Sequence, residues 1–255
     1  MKCIVSLSGG RDSATCLGLA VDKYGAENCY AIGFEYGSKH PQELKCAQKI
    51  ADYYGVPFQL IEINSNIFKG STSTLLKGSK GEVEKDKTYS EIMKEKGEGK
   101  VDTYVPARNT LFGAYVLARA ESISQEFDED VIIILGQHAD DSGFKVNEKG
   151  EEVLDSSKAA YPDCSLEYTN AFAEVARISS CSHVRYWTPF ITFHKWELIK
   201  IGMELKKPVP YEMCMSCYDP IIDEKGEAHE CGRCATCLDA KAAEEKANYK
   251  NPNWK

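Results

Sequence analysis

The chain has 255 residues, 43% of them apolar and 10% aromatic, enough to bury a continuous core in one large domain with a small appendage. Its formal net charge of −8, with acidic residues spread along the chain, argues against broad charge-driven binding of nucleic acid, which requires a basic face. The apolar stretch in the opening MKCIVSLSGG is too short for a signal peptide or a membrane span, and no membrane-length run follows, so a cytoplasmic protein with no membrane partner is expected.

The first half alternates strand-like and helix-like signals. Residues 2–7 (KCIVSL) read as a short strand that stops at Ser8-Gly9-Gly10. From Asp12 to about Tyr24 the apolar residues Cys16, Leu17, Leu19, Ala20 and Tyr24 recur at helical spacing. Residues 29–34 give a second strand and Gln42 to Tyr54 a helix, with Pro41 suited to its first turn and Gly55 to its end. Residues 58–63 make a third strand. Residues 64 to about 102 are rich in Gly, Ser, Thr and Lys, with one short helical piece around Ser90–Lys96, and are read as a lid rather than a plain linker. A helix from Asn109 to about Glu121 precedes VIIIL at 131–135, whose unbroken apolar character suits a parallel strand covered on both faces. A helix from about Leu166 to Arg177, a strand at 184–188 and a helix near Lys195–Leu205 complete this part. The expected fold is α/β: an open parallel sheet with helices on both faces and a ligand site at the carboxyl edge of the strands. The composition shifts at about Pro208, dividing a 1–207 domain from a 208–255 appendage with no clear strand, closed by a helix over roughly 235–248.

Ser8-Gly9-Gly10-Arg11-Asp12-Ser13 falls between the first strand and the first helix. The glycines let the backbone approach a ligand, and the amides at the start of the helix form an anion site. Ser8 and Ser13 can donate to phosphate oxygens. Asp12 beside a polyphosphate calls for a cation and is a candidate Mg²⁺ ligand. No Gly-Lys-Ser/Thr follows, so this is not a Walker A loop, nor is it a GxGxxG turn. The segment resembles the PP-loop of the ATP pyrophosphatases, which release pyrophosphate and transfer AMP to an acceptor.

Of eleven cysteines, Cys3, Cys16, Cys29, Cys46, Cys164 and Cys181 are scattered, as small core residues are in a reducing compartment. Cys214, Cys217, Cys231, Cys234 and Cys237 crowd near the C-terminus. Cys231-Gly-Arg-Cys234-Ala-Thr-Cys237 holds two overlapping CxxC units, each able to place two thiolates on one tetrahedral Zn²⁺. Spacing alone leaves Cys214 and Cys217 both open as the fourth ligand, and an iron–sulfur cluster with three cysteine ligands is the rival to zinc. Four thiolates leave no coordination position free, so the zinc site is assigned to folding rather than chemistry.

Taken together, the motifs resemble the 7-cyano-7-deazaguanine synthase family over nearly the whole chain. SGGRDS matches its PP-loop, GFEYGSKHPQEL (33–44) its aromatic-acidic-Tyr-Gly segment, and TYVPARN (103–109) its Val-Pro-Ala/Gly-Arg-Asn signature. YPDC (161–164) and Ser-Cys-Tyr (216–218) followed by CGRCATC match its remaining boxes, and in that match Cys217 is the first of the metal ligands Cys217, Cys231, Cys234 and Cys237. The resemblance implies an ATP-dependent ligase that converts 7-carboxy-7-deazaguanine and ammonia into the nitrile through an acyl-adenylate and an amide. It implies an ATP site of Leu7, Ser8, Gly9, Gly10, Arg11, Asp12, Ser13, Arg108, Asn109 and Lys195, with Asp12 and Arg108 catalytic, and substrate contacts from Tyr161 and Asp163. It also implies structural Zn²⁺, Mg²⁺ with ATP, and a homodimer. Cys164 is read as a buried thiol. His40, His138, His183, His194 and His229 carry no pattern of their own. The chain departs from the family in the long link at 144–160 and in Gln137-His138-Ala139-Asp140-Asp141, both bordering the acceptor pocket. Three other readings are weighed: an enzyme that stops at the amide or joins the acid to another amine, a tRNA-modifying PP-loop ligase, and a non-catalytic zinc-ribbon module.

Overall fold

The computed structural model describes residues 1–97, 100–181 and 183–254. Five strands, β1 (Lys2–Ser6), β2 (Cys29–Glu35), β3 (Phe58–Glu62), β4 (Val131–Ile134) and β7 (Val184–Trp187), form one parallel sheet in the order β3-β2-β1-β4-β7. Side chains alternate across it, as the two-residue period of a strand requires. Cys3, Val5 and Ile134 enter a core with helices α1 (Arg11–Tyr24), α2 (Gln42–Tyr54) and α7 (Lys195–Glu204). Ile4, Val131 and Ile133 enter a second core with α4 (Arg108–Phe127) and α6 (Leu166–Ser179) on the opposite face. Both faces of the central strands are therefore covered, which is why β1, β2 and β4 are mostly apolar while the edge strands β3 and β7 carry exposed polar residues.

Strand order reverses between β1 and β4. From β1 the chain steps outward to β2 and β3, and then returns to add β4 and β7 on the other side. Loops leaving β1 and β4 diverge there and open a crevice at the carboxyl edge, where ligands of such sheets bind.

The segment at 64–102 contains α3 (Tyr89–Lys96), which starts at a Thr88–Glu91 capping box. It is held at two points along its length. Leu75 and Leu76 are buried against the second core, and Lys39 N donates to Leu75 O at 2.9 Å. Further on, Asp86 N donates to Arg233 O at 2.7 Å and the Asp86 carboxylate accepts from Arg233 Nε at 2.9 Å.

Two hairpins were not expected. β5 (Phe144–Val146) pairs with β6 (Glu152–Leu154) just after the one-turn helix α5 (Ala139–Ser142), and β8 (Ile221–Ile222) pairs with β9 (Ala228–His229) in the tail. Strands of two or three residues are too short to leave a periodic signal, and Asn147 and Asp223 organise their turns by side-chain hydrogen bonds instead. The C-terminal residues share the main core: Tyr211, Cys214, Ala243 and Ala247 pack with α1 and α2, Ala243 from α8 (Ala235–Lys246) and Ala247 from the residue that follows it.

Candidate active site

The loop after β1 is shaped by what passes beneath it. Gly9 takes φ +95°, and a Cβ there would sit 2.1 Å from the carbonyl oxygen of Glu43 in α2. Only glycine serves, because the clash is with backbone. Ser13 Oγ then ties the loop together: it accepts from Ser8 N at 3.1 Å, lies 3.0 Å from Ser8 Oγ, and donates to Gly10 O at 3.1 Å. The loop and the ends of β2 and β4 bound a cavity of about 280 Å³ at the crevice. Small hydroxyls and the start of α1 make this floor suited to an anion.

Beside the loop lies a charged group. Asp12 Oδ2 is 3.3 Å from Lys195 Nζ and 3.6 Å from His138 Nε2, which in turn is 3.3 Å from Asp141 Oδ2. Burial opposes the charge on Asp12, yet Lys195 and His138 together hold its carboxyl well below the usual range. Burial likewise opposes protonation of His138, but Asp141 and Asp12 more than offset it and raise its pKa. The side chain of His138 is 1% exposed.

Across the cavity stands Arg108, at the start of α4. Its Nη1 donates to Tyr36 OH at 3.3 Å, and its guanidinium lies 5.7 Å from the Tyr36 ring centre and 5.9 Å from that of Phe112. Ala107, immediately before it, has φ 49°, a left-handed conformation that L side chains rarely adopt. Glu43 shares this wall, and burial pushes its carboxyl up to about 8 despite the nearby Arg108. Asn109 Nδ2 donates to Cys164 Sγ at 3.4 Å. Burial raises the Cys164 thiol, which suits an inert thiol rather than a nucleophile. The hydroxyl of Tyr161 is spent internally, 2.7 Å from Thr103 Oγ1 and 3.2 Å from Tyr89 OH, leaving its ring to line the cavity.

The cysteine knuckle adjoins the same cavity. Thiol sulfurs of Cys217, Cys231, Cys234 and Cys237 all lie within 4.8 Å of one another, and Cys231 and Cys237 are 3.9 Å apart. Four sulfurs about 2.3 Å from a tetrahedral ion would be spaced by about 3.8 Å. Amides of Cys231, Asp219, Arg233 and Cys234 point at Cys217 and Cys231 sulfurs at 3.2 to 3.4 Å, as donors to thiolates would. The residues therefore fit a metal. Cys214 is excluded from this group: it is buried in the main core with its sulfur 3.8 Å from Pro210 O.

The knuckle is joined to the anion loop. Met215 N donates to Gly9 O at 2.9 Å. Glu230, beside Cys231, takes both terminal nitrogens of Arg11 at 2.9 and 2.7 Å, and Glu244 of α8 takes Arg11 Nε at 2.6 Å. Ser216 and Thr236 complete the cavity wall and are bonded to each other at 2.7 Å.

Two sequence expectations need correction. Arg11 does not present its guanidinium to the cavity; it turns away and neutralises two carboxylates of the C-terminal region with only 1% of its side chain exposed. Asp163 does not line the cavity either: its Oδ2 accepts from Asn109 N at 3.4 Å, so it caps the start of α4. Leu7, Ser8, Gly10, Asp12, Ser13, Arg108, Asn109, Tyr161 and Lys195 do line it, while Gly9 contributes its turn. Glu43, His138, Asp141 and Tyr36 are cavity or near-cavity residues that the sequence reading passed over. Their signal was present in the segments at 33–44, which runs out of the end of β2, and 137–141, which follows β4, both at the carboxyl edge of the sheet.

A parallel sheet whose first strand runs into a Ser-Gly-Gly-Arg-Asp-Ser turn at its switch point defines an α/β protein of the PP-loop class. The family model described as queuosine biosynthesis protein QueC matches residues 2–248, and the chain belongs to that family. Its relatives include proteins named 7-cyano-7-deazaguanine synthase. That of Rhodopirellula baltica is 37% identical over 244 residues, covering 93% of this chain and 84% of its own. The Acinetobacter baylyi protein is 34% identical over 241 residues, covering 92% and 87%. The one from Rickettsia felis is 32% identical over 254 residues, covering 98% and 97%.

Proposed function

We propose that this protein is an ATP-dependent ligase that converts 7-carboxy-7-deazaguanine and ammonia into 7-cyano-7-deazaguanine. The observation that carries the reading is one cavity with an anion loop of Ser8, Gly10 and Ser13 on its floor and Arg108 on its wall, in a chain whose relatives bear that name. A carboxylate is a poor electrophile because its leaving group would be oxide. Its oxygen therefore attacks the α-phosphorus of ATP and pyrophosphate leaves. Ammonia then adds to the acyl carbon and AMP departs with the carboxylate oxygen, giving the primary amide. In a second round the amide oxygen takes AMP from another ATP, and loss of that AMP with both amide protons leaves the nitrile.

Each round needs positive charge where pyrophosphate departs, and Arg108 supplies it. Asp12 is the residue to meet the Mg²⁺ that neutralises the polyphosphate, with Lys195 beside it; Asn109 orients the nucleotide and the Tyr161 ring faces the deazaguanine substrate. We take the metal of the cysteine knuckle to be structural Zn²⁺, since four thiolates leave no open position, and treat 208–255 as the appendage it organises. Eleven unpaired cysteines suit a reducing cytoplasm. Homodimer formation belongs to the same reading, as does closure of the 64–102 segment over bound nucleotide.

The test is mass spectrometry of the product formed from the acid, ATP and ammonia. Nitrile is expected, and amide as the final product would overturn the reading. Arg108→Ala should lower kcat by about 10²- to 10³-fold, the usual cost of removing one transition-state charge partner.

A further inference from the structure

We infer that Asp12, His138 and Asp141 form a protein-held divalent-cation site, additional to the cation that a nucleotide brings, whose imidazole makes it prefer a first-row transition ion such as Mn²⁺ over Mg²⁺. The inference deepens the nucleotide-site reading given above and rests on the position of this group beside the anion loop.

One donor atom from each of the three residues lies within 4.8 Å of the other two. Donors about 2.1 Å from one octahedral ion are spaced by roughly 3 to 4.2 Å, and His138 Nε2 stands 3.6 Å from Asp12 Oδ2 and 3.3 Å from Asp141 Oδ2. Separately, His138 is buried to 1% exposure, and among the described residues its ring nitrogens meet carboxylates only at 3.3 to 3.7 Å without a well-formed hydrogen bond, while the buried Asp12 Oδ1 has no hydrogen-bond partner there. Buried polar atoms are ordinarily satisfied, and an ion would satisfy these together. Placement supports this. Asp12 opens α1 at the end of β1 and His138 and Asp141 follow β4, so the three meet at the switch point.

Charge agrees as well. Two carboxylates outweigh the single ammonium of Lys195, 3.3 Å from Asp12, and Asp140 adds a further negative charge 3.7 Å from His138 Nδ1. Mg²⁺ takes oxygen donors almost exclusively, whereas an imidazole nitrogen favours later divalent ions. A nitrogen donor in the set therefore shifts preference away from Mg²⁺.

Mn²⁺ binding to the full chain, with its cysteine knuckle loaded with zinc and without nucleotide, tests this. A His229→Ala background removes the exposed Asp223–Glu227–His229 group, which could also take the ion. Pulsed electron paramagnetic resonance should show bound Mn²⁺ coupled to one imidazole ¹⁴N. Mg²⁺ should displace it only at more than about tenfold excess. His138→Gln should abolish the coupling and weaken Mn²⁺ binding by about 100-fold. Failure to retain Mn²⁺, Mn²⁺ without nitrogen coupling, or coupling that survives His138→Gln would each overturn the inference. The wild-type signal decides even if the variant misfolds. Because neither ATP nor the acid is present, this result stands apart from failure of the ligase reading.

Discussion

The anion loop and the cysteine knuckle border the same cavity but are built by opposite means. The loop is local: small residues, a positive-φ glycine and hydroxyl hydrogen bonds within six positions fix its shape. The knuckle is non-local, joining Cys217 to a cluster beginning fourteen positions later and closing on Glu230, Glu244 and Arg11 from three parts of the chain. A local loop keeps its conformation only where its surroundings hold it, and here the knuckle supplies the hold through Met215 N to Gly9 O and through the Arg11 ion pairs. The distant region is thus a support for the near one.

The largest effect that can break this picture comes from the metal ligands. Cys234→Ser, or chelation, should cost about 4 kcal/mol or more, as loss of a structural ion does, with a fall in melting temperature of about 10 °C. Nucleotide binding, followed by calorimetry, should weaken in step although no ligand of the nucleotide has been touched. Nucleotide affinity unchanged in a metal-free but folded protein would separate the two regions. Glu230→Ala is the sharper probe. It leaves Arg11 buried with one carboxylate instead of two, and should cost about 3 kcal/mol in denaturant unfolding. Arg11 and Glu230 are 1% and 2% exposed, so solvent cannot take over the lost interaction.

This contrast also explains what the sequence disclosed. Strand–turn–helix signals around Ser8–Ser13 and the apolar run at 131–135 are local, and the sheet and loop formed where those signals lay. The CxxC spacing marked three ligands, but choosing Cys217 over Cys214 required either the family resemblance or the fold. Arg11 looked like part of the phosphate site because it sits among residues that are; its side chain leaves α1 toward α8, a direction set by tertiary packing. Asp163 was drawn into the substrate site by its motif, while the structure uses it on a helix start. Glu43 and His138 lay in segments the sequence marked, 33–44 and 137–141, but which of their side chains would reach the site is set by elements that meet only in the folded sheet.

A smaller effect distinguishes the two walls of the cavity by pH. Burial raises the Glu43 carboxyl from 4.5 to about 8. The folded state therefore holds this proton where the unfolded chain has released it. Its contribution to stability is complete below about pH 4.5 and is lost as pH rises toward 8. Glu43→Gln cannot ionise, so it should flatten the decline of melting temperature between those pH values and leave the variant more stable than the parent at pH 8. Identical pH profiles for the two proteins would show that Glu43 titrates as an ordinary exposed carboxylate.

The smallest effect falls on the backbone that aims Arg108. Ala107 holds φ 49° and ψ 25° just before α4, and a Cβ in that region costs about 1 kcal/mol relative to glycine. The Val-Pro-Ala/Gly-Arg-Asn signature admits glycine at this position, which is the residue that removes the strain. Ala107→Gly should therefore raise stability, offset in part by the greater freedom that glycine gives the unfolded chain, for a net gain below about 1 kcal/mol. Arg108 keeps its Tyr36 contact, because the native conformation is one glycine adopts readily. Activity should stay near the parental value while the melting temperature rises by about 2 °C. A lowered melting temperature would mean that the strain is already repaid by packing of the alanine methyl, and the left-handed turn would then be a consequence of the wall rather than the device that directs the arginine.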